Sequence, residues 1–323
     1  LYNLVDTIFI GRGVGTLGIA GLTIAFPVQI FIMAVAMLIG IGAASVISRN
    51  LGSGDRKRAY TAAGNTLSLS IIVGTIVMAI GLLLMEPLLK VLGATEAILP
   101  YSKEYLSVIF LGVPFITFAA SSNNIVRAEG RATVAMFTMI IGTGLNLLLD
   151  PIFIFGLNMG VKGAAVATVI SQFISFSFLM FFFFSGKSSL EIHLRHLVPH
   201  WKVLSEMLKL GVPIFIRQLG VSIFAIIVNN SLSVYGSDLH IAAFGMVNRL
   251  LMFTLMPLMG LSHGFQPIVG YNYGAGNIDR VKKTVKVTIT VATVAATFFF
   301  LIMMLFPATL LSIFSTDTAL LTE

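Results

Sequence analysis

Apolar runs of 20 or more residues follow one another along almost the whole chain, separated by short segments that contain charges, glycine or proline. A run of about 20 apolar residues crosses the hydrocarbon core of a bilayer as an α-helix. Only 10% of the residues are charged, whereas soluble domains carry about a quarter. The chain is therefore predicted to be an all-α polytopic membrane protein, with the lipid bilayer as its first partner.

The runs predict nine helices, of which several are longer than a bilayer is thick and are expected to tilt or to extend beyond it. The predicted helices cover residues 1–10, 17–48, 59–89, 97–126, 132–156, 162–185, 203–235, 239–271 and 281–314. The first looks incomplete, because it resembles the end of a transmembrane helix. The absence of cysteine excludes disulfides and cysteine-based zinc sites.

Positive charge alternates between successive connections and predicts their sidedness. Residues 49–58, 127–131, 187–209 and 280–286 hold 4, 2, 4 and 4 Lys or Arg, which is 14 of the 20 in the chain. Lys and Arg accumulate in cytoplasmic loops, so segments 49–58, 127–131, 187–202 and 280–286 are predicted to be cytoplasmic, with the chain in the cell (inner) membrane. This topology also explains the net charge of +7, and no nucleic-acid partner is predicted.

An internal repeat relates two parts of the chain at a shift of 222 positions. IGIGAASVISRNLGSGDRKRA (39–59) then aligns with LSHGFQPIVGYNYGAGNIDRV (261–281), which pairs Asn50 with Asn272 and Gly52 with Gly274. Six helices separate the copies, so both cross the membrane in the same sense, as parallel repeats do. We therefore predict an N-terminal bundle (1–186), a cytoplasmic linker (187–202) and a partial C-terminal bundle (203–323), with a cleft between the bundles.

The stretch NLLLDPIFIFG (146–156) places an acid inside an apolar run. An ionisable group at membrane depth costs at least about 2.5 kcal/mol and indicates a functional site. Asn146 lies one helical turn before Asp150 and shares its face, while Pro151 cannot bond the carbonyl of Leu147. A polar stripe of Thr168, Ser171 and Gln172 on the next helix is positioned to complete a pocket. The alternative is that Asp150 lies at the membrane edge and contacts water.

A carboxylate in a pocket of this kind can be neutralised by a proton or by an organic cation, and the two ligands compete for it. Such competition is the minimum that an antiporter requires, because a ligand shifts a conformational equilibrium only through its different affinities for the two states. A second acid, Asp6, lies in the first apolar run. The paired intramembrane acids therefore favour ion-coupled transport of cations.

Other intramembrane polar residues are candidates for the substrate cavity, namely Gln29, Asn123, Gln172, Arg217 and Gln218. Single polar residues of this kind commonly make hydrogen bonds between helices instead, and Arg217 has the further option of reaching the interface. His193, His196 and His200 recur at helical spacing, but Pro199 interrupts them and a solvated linker is the favoured interpretation over a metal site.

Several enzyme classes lack their motifs. SGKSS (185–189) resembles the end of a phosphate-binding loop, but Phe181 occupies the position of the required glycine. Neither a Ser-His-Asp set nor an HExxH motif is found. We predict a transporter, not an enzyme, and we predict no cofactor.

Several segments together resemble the multidrug and toxic compound extrusion (MATE) family: LVDTIFIGR, RNLGSGD, RAEGRA, LNLLLDPIFIFGLNMGVKGAAVAT and LGVPIF, in this order. The resemblance implies a transporter of two six-helix bundles, of which about nine helices are present, that acts as a monomer. It implies export of amphipathic, often cationic small molecules in exchange for H+ or Na+. The acid network of the family matches Asp6, Asn146, Asp150 and Thr168, so Na+ at Asp6 and Asp150 is the only metal ion under consideration.

Two alternatives remain at this point. A flippase for lipid-linked oligosaccharides shares the architecture, but it needs cationic residues to hold a diphosphate, and here only Arg217 and Arg249 lie within predicted helices. The chain is also shorter than the twelve-helix fold, so an inactive fragment is the second alternative. The choice between H+ and Na+ is left open, although no Asp or Glu lies between Gly211 and Gly236 to form a second acidic site.

Overall fold

The computed structural model of the protein describes residues 9–11, 13–235 and 238–312, and these form ten α-helices without any strand. The helices are α1 (Thr16–Ser53), α2 (Arg56–Leu83), α3 (Met85–Val91), α4 (Leu99–Ala128), α5 (Ala132–Pro151), α6 (Gly160–Phe184), α7 (Trp201–Tyr235), α8 (Asp238–Gly274), α9 (Ile278–Leu305) and α10 (Pro307–Ser312). A π-helical turn (Ile152–Gly156) follows α5, and a 3-10 helix (Leu194–Leu197) lies in the linker. The predicted all-α fold is confirmed.

Six stretches within this part of the chain have the length and the apolar character of a membrane span. They are Leu17–Ser53, Arg56–Leu83, Leu99–Ala128, Ala132–Gly156, Gly160–Phe184 and Ile278–Leu305. Each coincides with a predicted helix. Of the first predicted helix, residues 1–8 lie outside the described part of the chain.

Two predicted helices prove to be broken by proline. The helix predicted over 59–89 ends at Leu83, and a short helix starts at Met85, because Pro87 has no N–H to donate to the carbonyl of Leu83. The helix predicted over 281–314 ends at Leu305, and Phe306 has an extended φ of -130° before Pro307, since the residue before a proline is kept out of the helical region. The predictions of single helices were wrong at both places.

The basic segments are also more helical than predicted. Segment 49–58 is no loop, since α1 continues to Ser53 and Gly54 ends it in the left-handed region (φ 82°). The Asp55 side chain then accepts a hydrogen bond from the Arg58 N–H at 3.0 Å and caps α2. Segment 280–286 lies wholly within α9.

The helix bounds repeat at the shift of 222 positions seen in the sequence. The starts of α1 and α8 (Thr16 and Asp238) differ by this number, and so do the ends of α2 and α9 (Leu83 and Leu305). The short helices α3 and α10 also begin 222 residues apart. The structural repeat therefore supports the predicted internal duplication, while the division into two bundles at residues 187–202 stays a prediction.

Helix α1 lies at the centre of the molecule, where it packs along α4, α7 and α8. One apolar core surrounds the basic end of α1 and includes Ala43, Ile47, Phe118 and Met207. A second core surrounds the other end and includes Leu22, Tyr105, Leu106 and Ile154. Small residues on α1 allow these close contacts, which leave α5 and α6 as a separate pair beside α4.

Candidate functional site

Asp150, Asn146 and Thr168 form a buried polar cluster between α5 and α6. The side chain of Asp150 is fully buried, and Asn146 and Thr168 are 3% and 5% exposed. Asn146 Nδ2 donates to Asp150 Oδ1 and to Thr168 Oγ1, each at 3.2 Å. The predicted pocket is therefore assembled from these three residues, and within the protein Asp150 is buried and not exposed at an edge.

The turn after Asp150 explains how α5 and α6 come together. Pro151 ends the regular helix, and the chain widens into the π-helical turn, closed by a hydrogen bond from Leu157 N to Ile152 O at 2.9 Å. Gly163 on α6 packs directly against this turn, since a Cβ there would lie 2.8 Å from the carbonyl oxygen of Phe153. The absence of a side chain at Gly163 therefore lets α6 approach the acid closely.

The cluster keeps some hydrogen-bonding capacity. Both described bonds of Asn146 leave from the same nitrogen, and its Oδ1 is buried without a hydrogen-bond partner among the described residues. A buried acceptor without a partner costs about 1 to 3 kcal/mol. An oxygen of this kind beside a buried carboxylate can accept a bond from water or contact a cation, which is the chemistry expected of an ion site.

Asp6 lies outside the described residues, and its place beside Asp150 stays a prediction. The residues that follow it in sequence pack against the turn next to Asp150. The rings of Phe9 and Phe155 meet edge to face with centroids 6.0 Å apart, and a Cβ at Gly13 would lie 2.9 Å from Ile154 and Phe155 side-chain atoms.

The predicted cavity residues have varied surroundings. Gln29 on α1 donates to the hydroxyl of the buried Tyr105 on α4 at 2.9 Å, which is the helix-to-helix bond considered above. Asn123 is 8% exposed and donates to its own helix at Ala119 O (3.0 Å). Gln172 lies against α4, because its buried Oε1 would be 2.7 Å from a Cβ at Gly112. These three residues therefore lie at or near the packing of α4.

On α7, Arg217 is exposed and Gln218 is half-buried. Neither residue is brought to the Asp150 cluster by a described hydrogen bond. Their assignment to the substrate cavity stays a prediction.

The linker differs from the solvated segment that was expected. His196 is 6% exposed, and its Nδ1 accepts a hydrogen bond from the backbone N–H of His193 at 3.2 Å. Burial lowers the pKa of His196, and the charge of Arg195 lowers it further. The described part of the chain contains no group of three His, Cys, Asp or Glu residues arranged to hold a metal ion.

Asn65 is a structural residue that the sequence analysis missed. It is fully buried on α2 and donates from Nδ2 to the carbonyls of His196 (2.8 Å) and Val198 (2.9 Å). Its Oδ1 accepts from the N–H of His200 at 2.6 Å. These bonds anchor the linker to the N-terminal helices. The only sequence signal was a polar residue among small ones, AAGN (62–65).

Comparison with known proteins decides the family. The MatE family model matches residues 1–152 and 213–323 of the chain. The chain belongs to the MATE family. The MATE resemblance of the sequence motifs is thereby confirmed, and the chain is a multi-pass membrane protein of a transporter family rather than an enzyme.

Individual MATE proteins are similar over nearly the whole chain. The multidrug export protein MepA of Staphylococcus haemolyticus is 30% identical over 317 residues, which are 98% of this chain and 70% of that protein. The MATE multidrug transporter DinF-BH, solved in complex with a rhodamine dye, is 44% identical, with a TM-score of 0.89 over 98% of this chain and 71% of that one.

A further MATE structure bears on conformation. A multidrug resistance MATE transporter of the MOP superfamily in an outward-facing conformation is 31% identical, with a TM-score of 0.92 over 98% of this chain and 70% of that one. Among the MATE proteins that it matches, the chain spans 64% of the length of one MepA relative and up to 72% of that of a solved structure.

Proposed function

We propose that this chain acts in a secondary antiporter that exports amphipathic, cationic small molecules in exchange for H+ or Na+. The observation that carries the proposal is the fully buried Asp150, held by Asn146, which also bonds Thr168. A buried acid in a membrane transporter is costly unless it has a function. The similarity to multidrug export proteins supports the same conclusion.

The chemistry of the cluster supports ion coupling. Its oxygen atoms are a carboxylate, a hydroxyl and an amide carbonyl, which are hard donors that suit a proton or Na+. Asp6 completes this group as the second acid in our proposal. An ion that binds here neutralises the carboxylate, and the affinity for a cationic drug falls at the same step.

In the proposed cycle, the inward-facing protein has its acids deprotonated and binds the cation. After the two halves have rocked, an ion from outside neutralises Asp150 and the cation is released. Each ligand has different affinities for the two states, which is what drives the exchange. Gln29, Asn123, Gln172, Arg217 and Gln218 are proposed to contribute to the cavity that holds the cation.

We further propose that the protein lies in the cell inner membrane as a monomer with its basic end in the cytoplasm. The excess of Lys and Arg at this end supports the orientation. Protease or thiol-reagent accessibility of single introduced cysteines would test it directly, because the natural chain contains none.

The decisive experiment replaces Asp150 with Asn and measures efflux of a rhodamine dye, a fluorescent organic cation, from cells without their own drug exporters. The Asn side chain keeps the size of the acid and removes its charge, so efflux should be lost. Glu104→Gln, an exposed change at the other end of α4, is the matched control. Proton release or Na+ dependence on addition of the dye to the purified protein then identifies the ion. Unchanged efflux in Asp150→Asn would contradict the proposal.

A further inference from the structure

We infer that the two halves of the molecule are closed at their basic end by a gate with two parts, a glycine contact between α1 and α8 and an ion-pair latch on Glu206. Both parts join helices of the N-terminal half to helices that follow the linker. This inference rests on the proposed function, because a gate has meaning only in a transporter that opens alternately. Its evidence is nevertheless independent of the acid cluster.

The glycine contact is reciprocal. A Cβ at Gly52 would collide with the carbonyl oxygen of Tyr271, and a Cβ at Gly274 would collide with the carbonyl oxygen of Arg49. Both pairs are related by the 222-residue repeat, because Gly52 corresponds to Gly274 and Arg49 to Tyr271. The pseudo-symmetry axis of the molecule therefore passes through this contact, where the two backbones touch with no side chain between them.

Helix α7 extends the closed region along α1. A Cβ at Gly42 would collide with the carbonyl oxygen of Met207, and one at Gly211 would collide with that of Leu38. The repeat partner of Gly42 is Gly264, and a Cβ there would meet nothing within 4 Å. The same type of residue at equivalent positions is thus in tight contact in one half and free in the other, which provides a matched control.

Glu206 on α7 forms the latch. One carboxylate oxygen contacts Arg49 Nη2 of α1 at 2.9 Å, and the other contacts Arg58 Nη2 of α2 at 2.5 Å. The three side chains are between 30% and 47% exposed, so each pair is weak by itself. However, loss of Glu206 leaves two arginines side by side, and their repulsion favours separation of the helices.

The closed end is the one that the charge distribution predicts to be cytoplasmic. A gate that is closed there corresponds to an outward-facing transporter, in agreement with the TM-score of 0.92 to a relative in that conformation. Opening toward the cytoplasm requires the glycine contact to part and Glu206 to release both arginines. The gate is therefore predicted to set the balance between the two conformations.

A distance measurement tests the gate directly. Lys57 and Asp279 are exposed, are related by the 222-residue repeat and lie on opposite sides of the contact. Because the chain has no cysteine, spin labels on cysteines introduced at these two positions report their distance by electron resonance in lipid vesicles. The natural gate should give a predominant short-distance population.

Three variants should shift that population toward long distances. Gly52→Ala and Gly274→Ala each insert a methyl group where none fits, so we expect the closed-to-open ratio to fall about tenfold. Glu206→Gln should lower it about threefold, as expected for partly exposed ion pairs. Gly264→Ala and Glu104→Gln are the controls and should leave the distances unchanged.

Each outcome decides the inference. Unchanged distances in both glycine variants, or an equal shift in Gly264→Ala, would overturn the glycine contact, and unchanged distances in Glu206→Gln would overturn the latch. If a glycine variant does not fold, Glu206→Gln, which replaces a partly exposed side chain, still provides the test. Shifted distances together with normal efflux in Asp150→Asn would support the gate and refute the proposed ion coupling.

Discussion

Two buried asparagines of the N-terminal half, Asn65 on α2 and Asn146 on α5, have opposite surroundings. Asn65 uses both ends of its amide in three bonds to linker backbone atoms, at 2.6 to 2.9 Å. Asn146 makes two longer bonds of 3.2 Å from one nitrogen, and its oxygen has no hydrogen-bond partner in the described structure. The first amide is saturated by the fold, whereas the second retains an acceptor beside an acid.

This difference distinguishes a structural polar group from a functional one. A saturated buried amide stabilises the fold, because its partners would otherwise be left unpaired. An unsaturated one lowers stability and persists where a ligand uses it, in the way that strained or costly features collect at functional sites. Burial alone does not separate the two, since Asn65 and Asn146 are both at most 3% exposed.

The largest effect on stability is expected for Asn65→Ala. The substitution leaves the buried carbonyls of His196 and Val198 and the N–H of His200 without partners, so the free energy of unfolding should fall by about 3 kcal/mol. The apparent melting temperature in detergent would report this loss. Asn124→Ala is the matched control, because Asn124 is also buried but its described bond goes only to its own helix, at Ala120 O.

Asn146→Ala should have the reverse profile, with transport affected more than stability. It removes a group whose oxygen has no described partner, so unfolding should change by less than about 1 kcal/mol. Efflux of the rhodamine dye should fall at least about tenfold, equivalent to about 1.4 kcal/mol in the coupling step, because Asp150 loses its hydrogen-bond donor. A melting temperature lowered as far as in Asn65→Ala would contradict the distinction between the two residues.

The sequence was sufficient for the acid cluster but not for the linker anchor, and the reason is distance along the chain. Asn146 and Asp150 lie one helical turn apart, and Thr168 lies on the next helix, so local spacing predicted their meeting. Asn65 bonds residues 131 to 135 positions away, and Glu206 bonds residues 148 and 157 positions away. No local pattern predicts such partners.

The breaks at Pro87 and Pro307 show a different limit. The rule for proline was available from the sequence, but the apolar runs continue through both positions and a bilayer-length criterion does not detect a break inside an apolar run. The 222-residue repeat, by contrast, predicted helix correspondences that the structure supports. Long-range similarity within the chain thus gave information that hydropathy could not supply.

Thr168 allows a finer test of the acid cluster, with a smaller expected effect. Thr168→Val keeps the shape of the side chain and removes the hydroxyl that accepts the bond from Asn146. Efflux should fall about three- to fivefold, the value of one neutral hydrogen bond of about 1 kcal/mol. Thr168→Ser keeps the hydroxyl and should retain most of the activity. Equal losses in both variants would indicate that the methyl group, and not the hydroxyl, matters.

The smallest effect is expected at Glu129, which lies outside the membrane spans and gives the linker a second anchor. Its Oε2 accepts from the Ser188 hydroxyl at 2.7 Å and from the Ser189 N–H at 2.9 Å. Burial raises the pKa of Glu129 above its usual 4.5, although these two bonds act in the opposite direction. Glu129 is therefore an imperfect anchor, because its ionised form is disfavoured by the fold that holds it.

The sign of the pH dependence follows from this raised pKa. The contribution of Glu129 to stability is complete below its unfolded pKa and is lost as the pH rises through its folded pKa. Glu129→Gln removes this dependence, so the variant should gain stability relative to the natural protein between about pH 4.5 and about pH 8, by less than about 1 kcal/mol. Melting curves of both proteins across this range measure the gain, with Glu104→Gln as the exposed control. Parallel curves for Glu129→Gln and the natural protein would show that the linker is anchored equally well by the ionised acid, as it is by the saturated amide of Asn65.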